Sequence, residues 1–96
     1  MLLKRVEINE KHRCWNTNPI CVRWFLRTVE GHANETIGRR GYIYLNQICE
    51  TLDVEWNPND DNPCIKKDGM DQIACIRFEI LVREDGTFLV DIYCYD

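Results

Sequence analysis

The sequence predicts a small α+β domain: an antiparallel sheet ending in a C-terminal β-hairpin and packed against two short helices, with residues 1–96 forming one unit. Three observations predict it. From Ile76 to the end, apolar and polar residues alternate on either side of an Arg-Glu-Asp-Gly turn. Two earlier stretches, one opening on Asn18-Pro19 and one on Leu45-Asn46, carry apolar residues at helical spacing. The chain is 96 residues long, 45% hydrophobic and 29% charged, which is ordinary globular composition for one domain. A chain of this size buries roughly two-thirds of its unfolded surface, enough for one core.

The elements follow in order. LLKRVEI, residues 2–8, is short and roughly alternating and is expected to be a first strand. NEKHRCWNTNP is a polar loop carrying Trp15. Asn18 can cap a helix, and Pro19 suits its first turn. Arg23, Arg27 and Glu30 then form a polar stripe opposite Cys21, Val22, Phe25, Leu26 and Val29. A strand would set both arginines beside Phe25 on one face, so a helix over 19–30 is predicted, ending near Gly31. HANETIGRRG is read as a loop or frayed extension. Gly41 opens a short strand at Tyr42–Tyr44. Asn46 is expected to cap a second helix with Leu45, Ile48, Cys49 and Leu52 on one side. Residues 57–69, NPNDDNPCIKKDG, combine prolines, asparagines, aspartates and a glycine and read as one irregular acidic loop. They lack the alternating aspartate spacing of a calcium loop.

The closing hairpin can be solved to its register. A two-residue turn at Asp85-Gly86 would pair Ile80 with Asp91 and Glu79 with Ile92, mixing core and solvent on every rung. A three-residue loop, Glu84-Asp85-Gly86 with a left-handed glycine, sets Arg83 opposite Thr87. Val82 then faces Phe88, Ile80 faces Val90, Phe78 faces Ile92 and Ile76 faces Cys94, all on one side. That side is the core. The other carries Arg77, Glu79, Leu81, Leu89, Asp91, Tyr93 and Tyr95. Glu79 opposite Asp91 is mildly unfavourable, with Arg77 on the diagonal to compensate. An outer face that is half apolar calls for a covering element or a partner. Leu81, Leu89, Tyr93 and Asp91 are therefore the candidate partner-binding residues, joined by Asp60 and Asp61 of the acidic loop.

Ile43-Tyr44-Leu45-Asn46, Ile76-Arg77-Phe78, the Asp85-Gly86 turn and Asp91 followed by Tyr93 together resemble a group of small α+β proteins coded by phages and conjugative elements of Gram-positive bacteria. The resemblance spans residues 41–96 and departs from the pattern where Ile92 separates Asp91 from Tyr93. It implies a mobile-element origin and a helix-plus-hairpin core. It carries over no catalytic residue.

Composition narrows the function classes. Residues 1–48 hold eight Lys/Arg and four Asp/Glu, and residues 49–96 hold four and twelve. Either the halves interleave and their charges mix, or an acidic face meets a basic partner. The basic pairs Lys4-Arg5, Arg39-Arg40 and Lys66-Lys67 are scattered rather than striped, which disfavours direct nucleic-acid binding. The start, MLLKRVEINEK, lacks the apolar run of a signal peptide, and no window is apolar enough to span a membrane. Cytoplasmic residence is the expectation, with reduced thiols.

Six cysteines, at 14, 21, 49, 64, 75 and 94, show no close pair of zinc-knuckle spacing. Cys21, Cys49, Cys75 and Cys94 sit in or beside apolar runs and read as core thiols. A zinc site would have to gather His12, Cys14 and Cys21 with either His32 or a distant cysteine. No metal and no cofactor are expected. Cys14 beside His12 is the best catalytic candidate, but no nucleophile-base spacing or phosphate loop supports an enzyme. The expected function is a non-enzymatic protein-interaction or assembly module, working with a protein partner or as a homo-oligomer. The alternatives are an acidic counter-defence inhibitor of the anti-CRISPR type that blocks a host nuclease complex, and a small zinc-binding protein.

Overall fold

The computed structural model of the chain describes residues 1–66 and 75–95, apart from the side chain of Tyr95. Lys67, Asp68 and Gly69, the end of the expected acidic loop, lie outside that set. The elements are β1 (Leu2–Ile8), α1 (Pro19–Arg40), β2 (Tyr42–Tyr44), α2 (Leu45–Leu52), β3 (Cys64–Lys66), β4 (Cys75–Val82) and β5 (Phe88–Tyr95). The architecture is α+β. β1, β5 and β4 form an antiparallel sheet in that order, and β2 with β3 form a small second one.

The hairpin takes the three-residue loop. Arg83 N–H donates to Thr87 O at 2.8 Å, Gly86 N–H to Arg83 O at 3.0 Å, and Gly86 has φ +87°. The register sets Ile76, Phe78, Ile80 and Val82 against Cys94, Ile92, Val90 and Phe88, as the apolar alternation predicts. Asp85 Oδ1 accepts from Thr87 N–H at 2.9 Å and closes the turn. Trp15 Nε1–H donates to Gly86 O at 3.0 Å, tying the loop before α1 to the hairpin tip. β5 is central because the N-terminal strand pairs along its other side, Val6 with Val90 and Ile8 with Phe88.

The core lies between this sheet and both helices. Val22, Leu26, Val29, Ala33 and Ile37 of α1 join Leu45, Ile48, Cys49 and Leu52 of α2 and Ile76, Phe78, Phe88, Val90 and Ile92 of the sheet in one buried cluster. Val82 is the departure on the core face, 37% exposed. It lies on the outermost strand, past the last α1 side chain bonded to β4.

Three local readings are corrected. α1 does not end near Gly31 but runs to Arg40, where Gly41 at φ +88° donates its N–H to Ile37 O. The buried stripe simply continues through Ala33, Thr36 and Ile37, and that tertiary gain outweighs the roughly 1 kcal/mol helix cost of glycine. α2 is capped from Tyr44, not Asn46: Gln47 Oε1 accepts from Tyr44 N–H at 3.0 Å, while Asn46 N–H is taken by Asn62 Oδ1. The acidic loop is not wholly irregular. Cys64–Lys66 pair with Tyr42–Tyr44 because Ile65 can bury itself opposite Ile43, with Pro63 just outside the strand.

Two stability outcomes follow. Gly31 is exposed in mid-helix and a Cβ there would meet nothing within 4 Å. Gly31→Ala should therefore raise stability by about 0.5–1 kcal/mol in denaturant melts. Phe78→Ala empties a fully packed position and should cost about 3–5 kcal/mol. A loss under about 1 kcal/mol would contradict the core described here.

Candidate interaction surface

Strand parity makes the outer face of the sheet. Pairing aligns it in three rows: Leu2, Tyr93 and Arg77; Arg5, Asp91 and Glu79; Glu7, Leu89 and Leu81. Both helices pack on the opposite face, so among the described residues no element covers these rows. Leu81 is 62% exposed and Leu2 48%, while Leu89 and Tyr93 are half-buried. Of the sequence-chosen residues, Leu81, Leu89, Tyr93 and Asp91 thus share one surface. Asp60 does not join them, and Asp61 is exposed next to it in the loop before β3. Lys4 points to the helix side of β1 with Ile92, and its ammonium reaches Asp60 at 3.4 Å and lies over the Trp56 ring. The side chain of Tyr95 lies outside the described residues.

The electrostatics of the face turn on Arg5. Its guanidinium grips both oxygens of Asp91, at 2.6 and 2.9 Å. This bidentate pair holds the Asp91 carboxyl below its ordinary value, chiefly through the hydrogen bonding, and raises the Arg5 pKa in turn. Arg5, from the neighbouring strand, rather than Arg77 on the diagonal, therefore offsets the Glu79–Asp91 juxtaposition. Sequence reasoning missed it for lack of the β1–β5 register, although the alternation of Arg5 and Glu7 with Val6 and Ile8 already carried the signal. Glu7 and Arg83 approach to 3.9 Å on the same face.

The same logic explains the charge split between the chain halves. Lys4–Asp60, Arg5–Asp91, Arg13–Asp53 and Glu7–Arg83 all join residues of the first half to residues of the second. The halves interleave, and four ion pairs set their opposite charges against each other.

Beside this face runs the outer edge of β4, where α1 makes an unusual set of contacts. Asn34 Oδ1 accepts from Ile76 N–H at 2.7 Å, and its Nδ2 donates to Ile76 O at 3.0 Å. Glu30 Oε2 accepts from Phe78 N–H at 2.7 Å, and Arg27 donates to Phe78 O and to Glu30, both at 2.9 Å. The polar stripe Arg27–Glu30–Asn34 is thus a clamp on a strand edge rather than a solvated face. An open groove of about 680 Å³ runs alongside, lined by Arg27, Cys75, Arg77, Phe78, Glu79 and Ile80.

The histidine and cysteine candidates do not converge. His12 Nδ1 accepts from the backbone N–H of Cys14 at 3.0 Å, and Nε2 lies 2.7 Å from Leu52 O, so both ring nitrogens are committed to the backbone. Cys21 and His32 are exposed on α1. Among the described residues no three His, Cys, Asp or Glu side chains are grouped as metal ligands. Of the four thiols expected in the core only Cys49 is buried. Burial pushes its pKa up, which makes it a poor nucleophile. Cys21 is exposed because it precedes Val22 by one residue, about 100° round the helix from the buried stripe. Cys75 and Cys94 are half-buried at the sheet end.

Fold and surface together define a small α+β sheet protein whose outer sheet face is left uncovered among the described residues. No protein-family model, curated protein or solved structure matches the chain. No helix among the described residues is long and apolar enough to cross a membrane.

The Arg5–Asp91 pair makes stability depend on acid. A carboxylate whose folded pKa lies below the unfolded value stabilises the fold fully above about pH 4, and that contribution is lost as pH falls through the folded value. Asp85, lowered by its bonds to Thr87, acts in the same direction. Thermal melts from pH 5 to pH 2 should therefore fall less steeply for Asp91→Asn than for the wild type. Equal slopes would show that the pair contributes nothing.

Proposed function

We propose that the protein is a non-enzymatic interaction module of a phage or other mobile element, acting in the cytoplasm by protein contact through the outer face of its sheet. The observation that carries this reading is the uncovered apolar area: Leu2, Leu81, Leu89 and Tyr93 share one face that both helices leave bare. Charged groups flank it. Arg5–Asp91 and Glu7–Arg83 lie between the apolar groups, giving the mix of apolar contacts and oriented polar groups that specific interfaces use. A patch of roughly 800 Å² per partner suffices for a specific complex. The resemblance of residues 41–96 to proteins of mobile elements supports the origin. A counter-defence inhibitor is the special case in which the partner is a host nuclease complex; an acidic balance is common among small domains, so acidity alone does not single that case out.

Leu89→Lys tests the reading. Leu89 is not in the core, and the register puts Glu7 beside it to receive the new ammonium, so the melting curve should shift little. A host protein retained by the tagged wild type should be lost with Leu89→Lys. Equal retention by both would contradict the use of this face.

A further inference from the structure

α1 bonds only part of the β4 edge. In the hairpin register Arg77, Glu79 and Leu81 pair inward with β5, so the backbone groups of Ile76, Phe78, Ile80 and Val82 point outward. Asn34, Glu30 and Arg27 satisfy Ile76 and Phe78. Among the described residues nothing bonds the outward N–H and C=O of Ile80 and Val82. Natural sheets usually cover, shorten or twist away such an edge, because it is a template for another strand.

The sequence along that edge is complementary to itself. Turn a second β4 antiparallel about Leu81. Leu81 then meets Leu81, Ile80 meets Val82, and on the outer face Glu79 meets Arg83. Ile80 and Val82 are the very residues whose backbone groups point outward, so they fall at hydrogen-bonded positions and can exchange both bonds with the copy. The axis passes through the Leu81 pair, a non-hydrogen-bonded position where side chains come closest. Shifting the register by one residue would break all three matches.

A second observation concerns the helix side. A two-fold axis through a continuous antiparallel sheet stands perpendicular to it, so both copies of α1 lie on one side of the joined sheet. Ile20 lies seven residues before Arg27, about two turns, and so on the stripe that faces the β4 edge. Trp24 is one step round that stripe, away from the core. Both are 72% exposed, the most exposed large apolar side chains of the chain after Met1 among the described residues. α1 runs along the edge from Asn34 at Ile76 to Arg27 at Phe78, so its first turns continue toward the Ile80–Val82 end, where a second copy would sit.

We infer that the protein self-associates as a two-fold dimer through the outward edge of β4 at Ile80–Val82, joining two three-stranded sheets into one of six. This rests on the protein-contact reading above and names a second copy of the chain as the partner. It is a closed, isologous contact, so it ends at two chains rather than growing into fibres.

The charge pairs test it. In the dimer Glu79 and Arg83 meet twice, once on each side of the axis. Glu79→Arg sets arginine against Arg83, and Arg83→Glu sets glutamate against Glu79. Each single change should weaken the dimer about tenfold or more, because two attractive pairs become repulsive together. The double change Glu79→Arg/Arg83→Glu restores opposite charges across the axis and should recover the dimer. Folding is not at risk at position 79, since its cross-strand neighbour is Asp91. Light scattering against concentration should give a wild-type mass of twice 11.5 kDa, with the cycle of loss and rescue. A wild type that stays monomeric at millimolar concentration overturns the inference and leaves the protein-contact reading to its own test. A dimer indifferent to all three charge variants but broken by Leu89→Lys also overturns it, and assigns self-association to the outer face instead.

Discussion

Three side chains of α1 settle where the sheet ends. Asn34 offers one acceptor and one donor to Ile76, as the peptide group of another strand would. Glu30 and Arg27 divide the same task at Phe78 and pair with each other. Net, each such bond contributes about 0.5–1.5 kcal/mol, and more where a charge takes part. The larger effect is positional. The clamp fixes the angle at which α1 crosses the core face, so Val22, Leu26, Val29 and Ile37 meet the hairpin's apolar side. It also closes the edge at Ile76 and Phe78, and among the described residues the remainder is left bare.

Much of this was legible in the residues, for definite reasons. The hairpin register followed because a strand has period two and only one loop length puts all eight apolar residues on one side. The β-sheet core, the two helices and the uncovered outer face came with it. The end of α1 was not legible, because Gly31 is a local stop signal and the stripe that overrides it, Ala33, Thr36 and Ile37, is sparse. Cys64–Lys66 was hidden between prolines and charges, and only the presence of Tyr42–Tyr44 beside it makes it a strand. The partner of Asp91 could not be named before β1 was placed against β5. Arg27 and Glu30 were visible, with Arg23, as a polar stripe, but a stripe that faces water and one that faces a strand edge read alike in sequence, and Asn34 lay beyond the expected helix end.

The surface features form one continuous region. The outer face carries Leu2, Leu81, Leu89 and Tyr93 around the Arg5–Asp91 pair, and the open part of the β4 edge begins at Ile80, beside Leu81. Leu81 belongs to both. A partner strand at the edge would extend the outer face rather than hide it, so self-association and a further protein contact are compatible on one sheet. Four ion pairs between the two chain halves help hold the fold together, while shape, apolar area, backbone hydrogen bonding and the charges at the rim, Glu79 and Arg83, remain as means of recognition.

The central claim is that α1 closes the β4 edge at Ile76 and Phe78 and stops there. Native-state amide hydrogen exchange at low protein concentration reads this directly, residue by residue. The Ile76 and Phe78 amides should be protected nearly as well as those of the central strand β5, while the Ile80 and Val82 amides exchange orders of magnitude faster. Asn34→Ala should release Ile76 with little change at Phe78. Fast exchange at all four wild-type amides, or equal protection along the whole edge, would contradict the account.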